Sequence, residues 1–280
     1  MVKNRLPLIT GARETVDGAG VRLRRIVGSP ELNHVDPFVL LDEIRSENPE
    51  DYVAGFPTHP HRGIETVTYM LEGKFRHKDS RGGGGLLTRG DVQWMTAGRG
   101  ILHSEMPELD EKGVWGYQLW LTLPRSEKMT EPRYQHLDAA RIPTVGKNGS
   151  VVKIIAGEYG GKKGPAGTFF PVHYFDVRLD RDEEFAFTVP KGMKSYAYVH
   201  SGNVRTGPDP DAMVAHHRQF LQFGPVPEVV VTGNTDSSGF LFLCAAPLNE
   251  PIVRGGPFVM NTKEELYRAF QDWEAGRIDA

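Results

Sequence analysis

The sequence predicts an all-β protein built as two similar barrels in tandem with a short C-terminal helix, and three observations carry that prediction. Its 32 glycines and 20 prolines interrupt a 280-residue chain roughly every 8 to 15 positions, leaving short β-branched and aromatic runs, the rhythm of barrels and sandwiches rather than of βαβ units. The two halves resemble each other. TYMLEGKFR (68–76) leads by way of Gly90 to YQLWLTLP (117–124), and AYVHSGNVR (197–205) leads by way of Gly224 to FLFLCAAP (240–247), as in a repeated unit. Finally, a single segment near the C-terminus has the period of a helix.

Along the chain, the strand candidates of the first half are VRLRRIV (21–27), DPFVLL (36–41), TVTYML (66–71), DVQWM (91–95) and YQLWLTL (117–123). Those of the second are VVKIIAG (151–157), HYFDVRL (173–179), FAFTV (185–189), SYAYVHSG (195–202), VVVTG (229–233) and FLFLCA (240–245). Each is short and bounded by turn residues. In the helix, Thr262 and Glu265 form a capping box, in which hydroxyl and carboxylate satisfy the first free amides; Leu266, Ala269, Phe270 and Trp273 then share one face, and Gly276 ends it. Two domains are expected at this length, 1–138 and 139–280, with the helix in the second and RIPTVGKNGS (141–150) as turn and linker.

Composition narrows the function. With 39% hydrophobic and 25% charged residues the chain belongs to neither the disordered nor the membrane-embedded class, and a net charge of -3 gives no field that would draw it to a phosphate backbone. Direct nucleic-acid binding is therefore not expected. The single cysteine, Cys244, rules out an internal disulfide or a cysteine-based zinc site and suits a reducing compartment. No signal-peptide stretch and no run of about 20 apolar residues is found, so a cytoplasmic protein with no membrane association is expected.

The chemistry lies in GFPTHPHRGIETV (55–67), where His59 and His61 stand two apart before a strand. Side chains at that spacing share a face, so both imidazoles can enter one barrel interior. An isolated pair of this kind is more often one core histidine and one loop residue. Here a second pair follows 42 positions after His61, in GRGILHSE, where His103 and Glu105 are again two apart. Three neutral imidazoles and a carboxylate with two positions left open suit Fe(II), Mn, Ni or Cu better than a closed structural zinc.

The H-x-H pair, Gly73, Gly90 and a histidine at the next strand resemble the two motifs of the cupins. More closely, FPTHPHRGIETVTYMLEG, RGDVQWMTAGRGILHSEMP, PLNEPIVRGGPFVMNTKEEL and DPFVLLDE resemble the pirin family over nearly the whole chain. The resemblance implies two jelly-roll cupin barrels with Fe(II) in the first only, held by His59, His61, His103 and Glu105; zinc is a further metal such a set accommodates. It also implies quercetin 2,3-dioxygenase-like action on a flavonol with O2 and release of carbon monoxide, Glu105 taking the proton of the 3-hydroxyl. An alternative from the same family is an iron-bearing, redox-sensing regulator that binds a transcription factor or a metabolic enzyme. A cupin-type isomerase or hydrolase that uses zinc or nickel is a third reading. The resemblance further implies a monomer, since two barrels in one chain mimic a dimer.

Departures from the general cupin pattern sharpen the expectations. The usual glutamate stands four residues past H-x-H, whereas Glu65 comes three past and Thr66 takes its register; a slip of one reverses the face, which puts Glu65 outside the metal shell. Measured back from Gly202, the second half offers Thr188 and Pro190 where the first has His59 and His61, so no metal is expected there. His34, His77, His136, His173, His200, His216 and His217 are expected at the surface or hydrogen-bonded in the core, and Trp94, Trp115 and Trp120 in the core. Gly82 to Gly85 lacks the residues of a phosphate cradle and is expected as a flexible loop. Phe56, Val67, Tyr69, Trp94 and Gln118 are expected to line the mouth of the metal pocket.

Overall fold

The computed structural model describes residues 7–147, 150–207 and 212–280. All eleven segments predicted as strands fall on strands, and the one α-helix among the described residues is Lys263–Glu274. The chain groups into two units that are not consecutive halves. One holds the strand Leu8–Gly11 with Ala140–Pro247; the other holds Arg13–Ala139 with Leu248–Ala280. The terminal helix therefore belongs with the unit that carries the histidine pairs, whereas a linear division at 138/139 assigns it to the other.

In the histidine-bearing unit, seven antiparallel strands run in the order Arg133–Leu137, Val92–Thr96, Ile64–Glu72, Val114–Thr122, Phe38–Ser46, Val21–Val27 and Arg13–Asp17. A four-stranded sheet, ordered Phe56–His61, Ile101–Glu108, Lys74–Asp79 and Gly84–Leu87, faces it. Side chains of both sheets meet in two apolar layers: Val21, Leu23, Ile44, Met70, Phe75, Leu87 and Val114 in one, and Val39, Ile64, Met95, Ile101 and Val259 in the other. Burying each such side chain contributes roughly 1.5–3 kcal/mol. The other unit repeats the plan of a seven-stranded and a four-stranded sheet, but its interior is filled by Phe175, Phe185, Phe187, Phe240 and Phe242. Thr188 ends a strand there with its side chain exposed.

Two expectations about loops are corrected. Thr144–Lys147 pairs with Ser150–Ala156 as a hairpin, so the segment expected as a linker is an edge strand; residues 148 and 149 lie outside the described residues. Gly84 and Gly85 pair with Lys78 and His77 rather than forming a free loop. Both segments have weak strand propensity, and an available edge decided their conformation. Among the described residues no helix is long and apolar enough to cross a membrane.

The C-terminal tail is tied onto the histidine-bearing unit by specific bonds. Thr262 Oγ1 accepts from Glu265 N at 3.1 Å while Glu265 Oε2 accepts from Thr262 N at 3.0 Å, the expected capping box. Arg62 pairs with Asp272 on the helix at 2.8 Å. The buried Lys128 donates through Nζ to Val259 O at 2.7 Å, Thr122 Oγ1 at 2.8 Å and Gly63 O at 2.9 Å, which uses all three of its hydrogens. Burial pushes this ammonium down to about 7, and the nearby carboxylates of Glu250 and Glu265 oppose that by favouring the charged form. Replacing Lys128 by methionine leaves buried acceptors unpaired; urea unfolding should show a loss of about 2–3 kcal/mol, and an unchanged midpoint would show the tail is fixed by other means.

Candidate metal centre

Alternation builds a polar layer between the two apolar ones. Along Ile64–Glu72 the inward side chains are Ile64, Thr66, Thr68 and Met70, and along Val114–Thr122 they are Val114, Gly116, Gln118 and Trp120. On the facing sheet, Ile101 is followed by His103 and Glu105, and Phe75 by His77 and Asp79. His59 lies opposite His103 in register and His61 opposite Ile101, with a bulge between His103 and Glu105. The two i, i+2 pairs thus converge from neighbouring strands, as their spacing predicts.

His59, His61 and His103 each offer a ring nitrogen within 4.8 Å of the others. The Nε2 atom of His59 is 3.0 Å from Nε2 of His61 and 2.9 Å from Nε2 of His103. Their protons are placed by backbone carbonyls. His59 Nδ1 lies 2.8 Å from Pro57 O and His61 Nδ1 lies 3.1 Å from Pro257 O. A carbonyl only accepts, so in each ring Nδ1 carries the hydrogen and Nε2 of the neutral imidazole presents a lone pair. Lone pairs held this close repel unless a cation lies between them, and about 3.0 Å is the separation of two nitrogens at right angles on a metal with bonds of about 2.1 Å. The donor set therefore fits a metal ion. Burial, reinforced by the neighbouring imidazoles, holds His61 and His103 well below the usual histidine range, which keeps both neutral.

Glu105 stands just outside this cluster. Its Oε2 is 4.0 Å from His103 Nε2 and accepts from Gln118 Nε2 at 3.1 Å, while Oε1 lies 2.6 Å from the Thr68 hydroxyl. The same hydroxyl is 2.7 Å from Gln118 Oε1. His77 is a neighbour rather than a member: its ring sits 5.5 Å from that of His103, stacks on Tyr134 at 5.0 Å and meets Gln93 Nε2 through Nδ1 at 2.9 Å. Glu65 points to the opposite face, where its Oε1 accepts from Thr96 Oγ1 at 2.8 Å, and burial raises it to about 7.

A cleft of about 590 Å³ opens onto His59, His61 and Glu105. Phe56 and Gln118 line it. Val67, Tyr69 and Trp94 do not: they are buried on the other face of their sheet, since Val67 and Tyr69 alternate with the inward Thr66 and Thr68, and Trp94 is the cross-strand partner of Val67. Trp120, placed in the core by sequence, instead forms a wall of the cleft with its ring 4.8 Å from that of His61. Its register two residues after Gln118 was the signal for that. Thr68, Arg25, Asp42 and Arg254 also line the cleft and had no sequence signal of their own.

Fold and site together define a protein of two tandem cupin domains with a three-histidine cluster able to hold a metal ion. The family model for pirin matches residues 20–121 and that for the pirin C-terminal cupin domain matches 174–279. The chain belongs to the pirin family. It is 45% identical to pirin of Homo sapiens over 268 residues, 94% of this chain and 89% of that one. Among solved structures it is similar to a quercetin 2,3-dioxygenase from Acinetobacter baumannii, with 34% identity, a TM-score of 0.89 and coverage of 100% of this chain and 99% of the other. The Escherichia coli pirin YhhW, solved in complex with nickel(II), shares the fold at 21% identity and a TM-score of 0.67, covering 86% of this chain and 99% of that chain.

Because their folded-state values are lowered, His61 and His103 bind protons only at a pH below the ordinary histidine midpoint of about 6.5. Protons then compete with a metal only in more acidic solution. Cobalt(II) uptake followed by absorbance should persist at pH 6 and decline below it; a half-point at or above 6.5 would contradict this.

Proposed function

We propose that the chain is an iron-dependent dioxygenase that cleaves flavonols such as quercetin with O2 and releases carbon monoxide, with His59, His61, His103 and Glu105 holding the iron. The observation that carries this reading is a carboxylate brought beside three convergent imidazoles, of which His59 and His61 line, with Glu105, a cleft whose volume, about 590 Å³, lies within the ordinary range for small-molecule sites. The likeness to a quercetin 2,3-dioxygenase at 34% identity over the full chain supports it. Bound Fe(II) with open positions supplies a path for electrons between a chelated substrate and O2.

The side chains supply binding and proton handling. Phe56 and Trp120 offer flat apolar walls for a planar substrate. Asp17 and Asp42, the cleft's other carboxylates besides Glu105, are both bonded to Arg25, which leaves Glu105 to take the proton of the substrate 3-hydroxyl. Thr68 has one hydroxyl hydrogen and two acceptors in reach, Glu105 Oε1 at 2.6 Å and Gln118 Oε1 at 2.7 Å. While Glu105 is ionised, Thr68 donates to it. Once Oε1 is protonated, Thr68 turns its hydrogen to Gln118 and accepts from Glu105, so the proton is held without an unpaired buried atom.

Glu105→Gln should retain most iron by elemental analysis while quercetin loss and carbon monoxide release fall by about 100-fold. Unchanged turnover removes Glu105 as the base. Failure of the iron-loaded wild type to consume quercetin in air would instead favour the regulatory reading.

A further inference from the structure

The cleft has a second polar station away from the imidazoles. Arg254, on the C-terminal tail, is half-buried and lines it. Its Nη1 donates to Val39 O at 2.9 Å and packs over Gly28, where any Cβ would come within 2.8 Å of that nitrogen. Its Cζ lies 5.1 Å from the Trp120 ring centre. The guanidinium is thus fixed on one edge and braced by an aromatic face, yet among the described residues its Nε and Nη2 make no hydrogen bond and no carboxylate pairs with it directly. The contrast with Arg25 is instructive. Arg25 is saturated, donating from Nε and Nη2 to Asp42 at 3.0 and 2.8 Å and from Nη2 to Asp17 at 2.6 Å. Burial and then the neighbouring Arg25 guanidinium depress Arg254 below a free guanidinium, with Asp42 and Asp17 opposing them.

Trp120 connects this station to the metal site. Its ring touches His61 at 4.8 Å and Arg254 Cζ at 5.1 Å, so the guanidinium lies no more than about 10 Å from the His61 ring. A flat molecule lying along the indole would meet the imidazoles at one end and Arg254 at the other. We propose that the cleft selects planar chelating substrates that carry an ionised oxyanion substituent, a carboxylate or phenolate, on the edge remote from the chelating oxygens, and that Arg254 receives that group through its free Nε and Nη2. A fork of two parallel N–H donors matches an oxyanion and discriminates strongly against a neutral edge.

This inference rests on the flavonol reading above, and the test separates the two. Iron-loaded protein is titrated without oxygen, at low salt, with 3-hydroxyflavone and with its 7- and 4′-carboxylates, following the flavonol absorbance band. At least one carboxylate should bind about tenfold or more tightly than the parent, with a preference that shrinks as salt is raised, and Arg254→Gln should bring that ratio close to one. Equal affinities for all three compounds in the wild type, or a preference that survives Arg254→Gln, overturns the oxyanion station and leaves the flavonol reading standing. No binding of any of the three overturns the flavonol reading and this inference with it.

Discussion

Imidazole lone pairs aimed at one another across about 3.0 Å are the constraint around which the histidine-bearing unit is organised. The carbonyls of Pro57 and Pro257 create it by claiming the Nδ1 hydrogens, so that Nε2 of His59 and His61 is available only as a donor of electrons. Rings in this state do not hold together by themselves. They are kept in place by the strands beneath them and by burial that suppresses the protonation of His61 and His103.

A polar layer in the middle of a core is expensive, and the fold contains its cost by period-two alternation. The same strands that present Thr68, Gln118, His103 and Glu105 present Met70, Val114 and Phe75 on one side of that layer and Ile64 and Ile101 on the other. The related unit in the same chain builds its interior around phenylalanines, with the half-buried His173 packed against Phe175 and Phe187. One architecture thus places three convergent imidazoles among the inward-facing residues of one unit and a cluster of phenylalanines among those of the other.

Much of this was legible in the sequence because it is local. Strands alternate by two, so the pairs His59/His61 and His103/Glu105 declared a common face, and the offset of Glu65 declared the opposite one. The capping box at Thr262 was equally plain. Where several alternating strands combine, the sequence is less explicit: Gln118 and Trp120 line the cleft, whereas Val67, Tyr69 and Trp94 are buried on the opposite face of their sheet. What was illegible depends on long-range closure. No pattern links Pro257 to His61 or Arg254 to Trp120, since both come from a segment well over a hundred residues downstream that folds back across the chain. Edge strands such as Gly84–Leu87 and Thr144–Lys147 were missed for the related reason that pairing, not propensity, made them strands.

That fold-back bears on how the protein is made. A ribosome emits His59, His61 and His103 long before Pro257, so a nascent chain carrying every imidazole of the cluster still lacks the carbonyl that fixes the tautomer of His61. The geometry of the cluster is therefore complete only once the segment that carries Pro257 has been made and has folded back onto the strands that hold the three histidines.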